Sequence, residues 1–291
     1  MKIVQGDTLE WKRGLPHRGG TFHYRNLMEG EAGTIGNFQL SMGRSDKDFL
    51  SPRHRHNFEQ FRFQLEGTLK FGRDGDMTPG MIGYFPEGAY YGPQTQEAEA
   101  LTFVLQFGGA SGQGYLSRDE VTKGMKDLES FGRFEGGVFR RHADAEGKRN
   151  LDGYQAIWEH VHGRRLDYPK PRYPAPIMMD EANFAWAPSK EGPGVQEKLL
   201  GCFTERRAEA GYLRVKKGAG VTLPARSVHV CLSGVGAVGD EPLRALTVIY
   251  VGYGETARLE AAEDCVLIRM LLPDLTGLES MAGDGAAIAA E

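Results

Sequence analysis

Two histidines one residue apart, His54 and His56 in Pro52-Arg53-His54-Arg55-His56, are the residues of this sequence best suited to chemistry. On an extended segment side chains alternate with a period of two, so both imidazoles point to one face and one ion can take both. A strand-like run follows, in which Gln60, Arg62 and Gln64 share one face and Phe61, Phe63 and Leu65 the other. In most half-buried strands the apolar face is the core, which would turn Gln60, Arg62 and Gln64 to water. If the polar face is the inner one instead, Arg62 and Gln64 line a polar pocket.

The stretch from Pro52 to Thr95 resembles the two conserved motifs of the cupin superfamily. His54, His56 and Gly67 stand at the His-x-His and closing glycine of the first motif, with Gln60 at its acid and Asp48 at its opening glycine. Gly80, Pro86 and Gly88 fit the second, where Tyr91 replaces a histidine and Thr95 an asparagine. The resemblance is strong over residues 36–107 and implies an all-β protein of two cupin-type jelly-roll (double-stranded β-helix) barrels with a short helical connection. It turns the polar face of the Gln60 strand into the barrel. It further implies a divalent transition metal, with iron foremost and Mn, Ni or Zn as alternatives, held by His54, His56, Gln60 and Tyr91. Glu59 is one residue out of phase, and a bulge would be needed to bring its carboxylate in. Gln60 offers a neutral amide oxygen and Tyr91 a phenol that coordinates well only as phenolate, a set that balances little of a metal's charge.

Arg62 and Tyr91 are the expected catalytic groups, and Arg62, Gln64 and Gln94 the expected substrate contacts. The function implied is a metal-dependent enzyme on a small organic, anionic or enolic substrate, a dioxygenase-like oxidoreductase first. A metal-dependent isomerase, cyclase or lyase fits the same ligands, and a metal-free small-molecule-binding bicupin is the third reading.

The elements that must position these groups are short. The chain has 291 residues, room for one large or two ordinary domains, and its 40 glycines suit many strands joined by tight turns. A formal charge of −4 supplies no basic field, so no nucleic-acid partner is expected. No apolar run is long enough for a bilayer, and the first residues are not those of a secretion signal, so no membrane partner is expected. Cys202, Cys231 and Cys265 form no CxxC pair and read as buried thiols in a reducing, cytoplasmic compartment.

In order, the sequence divides into an N-terminal arm (1–35, with His17 and His23 as surface histidines), a first barrel (36–112), a helical and proline-rich connector (113–194), a second barrel (195–275) and a flexible tail (276–291). Strands are expected at Ile35–Arg44, Phe49–His56, Glu59–Glu66, Met81–Phe85 and Leu101–Phe107. Ser117-Arg118-Asp119-Glu120 is a capping box opening a helix that runs to about Phe131, and a second helix spans about Asp152–His162. His160-Val161-His162 repeats the spelling of the first pair, but residues two apart on a helix diverge by about 200° and do not share an ion easily.

Setting Gly234 against Gly67 puts Val221, Leu223 and Ser227 at the positions of His54, His56 and Gln60. The second half therefore looks like a degenerate cupin without ligands, with His229 structural. The apolar faces of Phe61, Phe63 and Leu65 need cover, from a tight pairing of barrels in one chain or from a homodimer.

Overall fold

Alternation builds the first barrel. In the strand Phe38–Ser45, Gln39, Ser41 and Gly43 alternate with Phe38, Leu40 and Met42, and in Ala100–Phe107 Thr102, Val104 and Gln106 alternate with Phe103, Leu105 and Phe107. Both pair antiparallel in the register Gln39↔Gln106 and Gln60↔Gln106, so the polar sets of three neighbouring strands form one face. The aromatic sets form the other, where Phe61 meets Tyr84 and Phe107 at ring-centroid distances of 5.6 and 5.3 Å. Phe61 and Phe63 are buried within the single chain.

The structure is a computed structural model that describes residues 1–14 and 21–278. His17 and most of the expected tail, residues 279–291, lie outside the described residues. Two compact units emerge, Trp11–Met178 and Met1–Glu10 with Met179–Gly277. In the first unit six strands of the seven-stranded main sheet run in the order Met81–Phe85, Glu59–Glu66, Ala100–Phe107, Phe38–Ser45, Phe22–Glu29, Lys12–Arg13. The opposite layer consists of small pieces: the hairpin of Leu69–Lys70 with Asp76–Met77, and isolated bridges Ser51↔Gln94, His54↔Tyr91 and Lys70↔Thr95. The strand expected over Phe49–His56 is thus only a bridged, extended segment. Pro52, which has no N–H, and the turn hydrogen bond from Phe49 N to Asp46 O interrupt the ladder that a full strand needs.

The segment expected as a connector is part of the first unit. Helix α1 (Arg118–Leu128) opens with the expected capping box, in which Ser117 Oγ accepts from Glu120 N and Glu120 Oε2 accepts from Ser117 N. Helix α2 (Gly153–His162) is capped by Asp152 Oδ1, which accepts from Tyr154 N and Gln155 N, and it stops at Gly163 with φ 62°. A three-stranded sheet of Gly132–Glu135, Val138–Arg141 and Asn150–Asp152 lies between them in sequence. Leu116, Val121, Phe139, Ile157 and Trp158 share one apolar cluster with Phe58, the residue two positions after His56. Amphipathic helices with an apolar face bury it against whatever is nearest, and here that is the barrel's own loop. On α2, His160 lies 3.4 Å from Asp127 while the His162 ring packs on Trp158, so the two diverge as helix geometry requires.

The second unit holds a seven-stranded antiparallel sheet, with the order Lys2–Gln5, Thr247–Val251, Ser227–Ser233, Cys265–Leu271, Glu209–Val215, Val195–Cys202, Ala187–Pro188. A four-stranded sheet of Gly220–Leu223, Ala257–Ala261, Gly236–Val238 and Glu241–Leu243 completes it. Residues 1–35 are therefore not one arm: Lys2–Gln5 pairs with Thr247–Val251, while Phe22–Glu29 pairs with Phe38–Ser45. Val221 and Leu223 sit in a wholly apolar cluster with Leu213, Cys231, Ile249, Leu259 and Leu267. Cys202, expected to be buried, is exposed at the end of its strand, while Cys231 and Cys265 are buried. No helix among the described residues is long and apolar enough to cross a membrane.

His229 is fully buried, with Nε2 3.0 Å from Ser227 Oγ. Burial, and then the nearby Arg269 charge, push its pKa down to about 3. Because the folded value is depressed, the unfolded chain binds the extra proton between the unfolded pKa of about 6.5 and the folded one, and stability falls as pH falls through that window. Between pH 7 and pH 5 this costs about 2 kcal/mol. Denaturant unfolding of a His229→Gln variant, followed on the second unit's signal, should show a correspondingly flatter dependence over pH 5–7. An unchanged slope contradicts the assignment.

Candidate active site in the first barrel

The inner face of the first barrel encloses a cavity of about 540 Å³. Its floor is the polar face of three strands: Gln39, Ser41 and Ser45, then Thr102, Val104 and Gln106, then Gln60 and Arg62. His54, His56 and Gln94 come from the bridged segments opposite. Phe58 comes from the loop after His56, and Tyr115, Arg118 and Tyr154 come from the stretch around α1 and α2. Among the described residues lining it there are three arginines and two histidines and no Asp or Glu.

The two histidines meet edge to edge, with His54 Nε2 3.1 Å from His56 Nε2. His54 Nδ1 lies 2.6 Å from Pro52 O, and a carbonyl can only accept, so Nδ1 carries the hydrogen. A neutral His54 then presents a bare Nε2, and the hydrogen between the rings sits on His56 Nε2. His56 is held from both sides. Its ring stacks on Phe58 at 4.3 Å, and its carbonyl accepts from Gly88 N at 2.7 Å. Gly88 has φ +77°, and a Cβ there would lie 2.1 Å from Pro169 O, so only glycine fits between the histidine loop and the proline-rich stretch. That stretch is tied down by Arg172, whose Nη1 lies 3.2 Å from the buried Glu87 carboxylate. Burial pushes the Glu87 pKa up, while Ser111 and Arg172 oppose the shift.

Arg62 organises the floor. Its Nε donates to Gln60 Oε1 at 2.9 Å, Nη1 to Gln94 Oε1 at 2.7 Å and Nη2 to Tyr91 OH at 3.0 Å. Its guanidinium carbon lies 4.4 Å from the Phe85 ring centroid. Gln60 thus turns its Nε2 away from Arg62, and that donor is buried with no partner among the described residues.

Several expected roles change. Tyr91 does not line the cavity. It stands behind Arg62 in an apolar cluster with Phe71 and Phe85, its ring 4.6 Å from His54 and its OH accepting from Arg62 Nη2. Gln64 does not line it either. Its Nε2 donates to Glu66 O and its Oε1 accepts from Thr102 Oγ1, at a register irregularity between Gln64 and Glu66 near the end of the strand. Glu59 is buried on the opposite face. The pairing from Glu59 to Gln64 is unbroken, so no bulge swings it inward, and its carboxylate lies beside the Tyr84 phenol, whose pKa burial and then Glu59 push up.

The residues that sequence reasoning left out are Gln39, Gln106, Tyr115, Tyr154 and Arg118. For Gln39 and Gln106 the signal was present, as the same inverted alternation on two further strands. Tyr115 joins them, its OH 2.9 Å from Gln39 Oε1 and 2.8 Å from Gln106 Oε1.

Whether a divalent metal fits can be judged from the donors. Two ligands at about 2.1 Å and at right angles lie about 3.0 Å apart, so the histidine pair alone is compatible with one ion. The rest is not. The oxygens of Gln60 and Tyr91 both accept from Arg62, and the guanidinium repels a second cation. Among the described residues no group of three or more His, Cys, Asp or Glu converges. The expected four-ligand centre of His54, His56, Gln60 and Tyr91 is therefore not what these residues build.

Replacing Arg62 by Met should strand three polar partners in the barrel and lower stability by about 2 kcal/mol or more, measured by urea unfolding. Arg62→Lys should recover only part, because an ammonium cannot span the three acceptors. A neutral outcome for Arg62→Met would show that the floor does not depend on it.

Neither the family models nor the curated proteins compared with the sequence gave a match. Solved structures do. A protein from Nostoc punctiforme, provisionally described as a dioxygenase, superposes with a TM-score of 0.61 at 14% identity, over 94% of this chain and 83% of that one. A variant of Bacillus subtilis oxalate decarboxylase superposes with a TM-score of 0.54 at 13% identity, over 94% of this chain and 77% of that one. A second variant of the same enzyme gives a TM-score of 0.53 at 13% identity, with the same coverage. At these identities the likeness speaks to the fold, and with the two antiparallel barrels described above it shows that the chain has the bicupin fold.

Proposed function

We propose that the first barrel binds a small organic anion and moves a proton on it through the His54–His56 pair, without a metal: an isomerase- or lyase-type reaction rather than oxygen insertion. The observation that carries this reading is the charge of the cavity wall, with arginines and histidines and no carboxylate among the described lining residues. A cavity of about 540 Å³ is the size of a small-molecule site. Its glutamines and serines supply hydrogen bonds to oxygens, and Phe22, Phe49 and Phe58 supply an apolar wall.

In this scheme the anion enters beside the histidine pair. Pro52 O holds the His54 tautomer, so the proton available for transfer is the one between the two Nε2 atoms. A ligand oxygen or carbon acid in place of one partner can accept that proton or deliver one to the bare nitrogen, which is general acid–base chemistry. Arg62 keeps Gln60 and Gln94 in place beside the pair, and its positive charge in a low-dielectric interior favours a developing enolate. The iron-dependent dioxygenase expected from sequence would need ligand oxygens that Arg62 already occupies. The alternative of a binder without catalysis shares the cavity but makes no use of the histidine contact. A second copy of the chain is not needed to assemble the cavity, whose described walls all come from one unit.

The test is solvent exchange. Small 2-keto and 2-hydroxy carboxylates are incubated with chelator-treated protein in deuterated water, and deuterium uptake next to the carbonyl or carboxyl carbon is followed by NMR. Uptake by the parent and its loss by about 100-fold in His54→Gln and His56→Gln is the expected result. Exchange that requires added Fe, Mn, Ni or Zn, or none with any substrate, contradicts the proposal.

A further inference from the structure

We infer that Arg118, not Arg62, is the residue that grips the acidic group of the ligand and sets the cavity's preference for a carboxylate. This rests on the anionic-ligand reading above. Arg118 is the first residue of α1, in a segment expected only to connect two barrels. The capping box fixes its backbone: Ser117 precedes it, and the Glu120 carboxylate on the same turn accepts from Ser117 N. Its guanidinium sits over the Tyr24 ring, with Cζ 3.8 Å from the ring centroid. Stacking uses the face of the group and leaves the N–H edge for a planar acceptor.

That edge is unused. Arg118 Nε is buried, and the side chain makes no hydrogen bond or ion pair among the described residues. Arg62 is the opposite case, with Nε, Nη1 and Nη2 all donating to neutral side chains. Arg13, the third arginine on the wall, is exposed. Arg118 is thus a half-buried cation on the wall of a cavity whose described lining includes no acid, and a carboxylate of the ligand is the partner that completes it, through two parallel charge-assisted hydrogen bonds. Tyr24 lies on Phe22–Glu29 and Arg62 on Glu59–Glu66, with Phe38–Ser45 and Ala100–Phe107 between them. Three strand spacings of about 4.8 Å therefore separate the two arginine-bearing regions.

The experiment uses matched pairs of a carboxylate and its primary amide: benzoate and benzamide, nicotinate and nicotinamide, 2-furoate and 2-furamide. Binding to the full chain is measured by calorimetry. The parent should bind at least one carboxylate about ten-fold or more tightly than its amide, and Arg118→Gln should remove that preference while leaving the amide unchanged. Arg118→Lys, with an unchanged melting temperature, should keep part of it. A merely structural Arg118, stacking on Tyr24, would shift both members of a pair together. If Arg118→Gln keeps the carboxylate preference, the assignment to Arg118 is overturned and the anionic-ligand reading survives. If the parent prefers no carboxylate over its amide, the anionic-ligand reading fails and this inference fails with it.

Discussion

A guanidinium inside a β-barrel is the constraint from which much of the first unit follows. Arg62 is only 8% exposed, and a cation in that position costs several kcal/mol unless the protein itself solvates it. Gln60, Gln94 and Tyr91 supply the hydrogen bonds, and the Phe85 ring supplies a face. To hold Arg62 inward, its strand must turn its polar side to the interior, which sends Phe61 and Phe63 outward to pack on Tyr84, Phe103 and Phe107. The neighbouring strands repeat the arrangement, so the interior is polar and open enough for a ligand, and the tight aromatic packing lies on the opposite face of the sheet. The second unit makes the other choice: Val221, Leu223 and Leu267 fill its interior.

How much of this could be read in advance depends on the range of the interaction. Local signals were legible. The capping box at Ser117, the helix stop after His162 and the divergence of His160 from His162 are set by neighbours within one or two turns. The His54–His56 contact was also legible, because period-two spacing is a property of the backbone. The choice between inward and outward for Gln60, Arg62 and Gln64 was not decided by alternation, which is symmetric; it came from likeness to cupin motifs. Two things stayed hidden. One is how an amide is spent: Gln64 and Gln60 sit on one face, but a turn at Glu66–Gly67 captures the first and Arg62 orients the second. The other is long-range recruitment, since nothing local to Arg118 or Tyr154 says that the helical segment folds back on the barrel.

The site that results combines features of different origin. The barrel contributes neutral hydrogen-bonding groups and one engaged cation. The bridged loops contribute two imidazoles whose tautomers are set by a backbone carbonyl. The helical segment contributes aromatic rings and a cation whose N–H groups are unspent among the described residues. Such a wall is poorly matched to a metal ion, which needs anionic or at least uncommitted donors, and well matched to an anion. The same two-barrel fold can hold either kind of site, because the choice lies in a few side chains on the inner face and not in the sheets themselves.

The claim most exposed to measurement is that the cavity is made for an anion and not for a metal. Elemental analysis of protein purified without added metal, and again after dialysis against equimolar Fe, Mn, Ni and Zn salts, addresses it directly. The account predicts metal well below one ion per chain in both samples, with no change on replacing His54 and His56 by alanine. Stoichiometric metal that disappears in that double variant, with the barrel still folded, would contradict it.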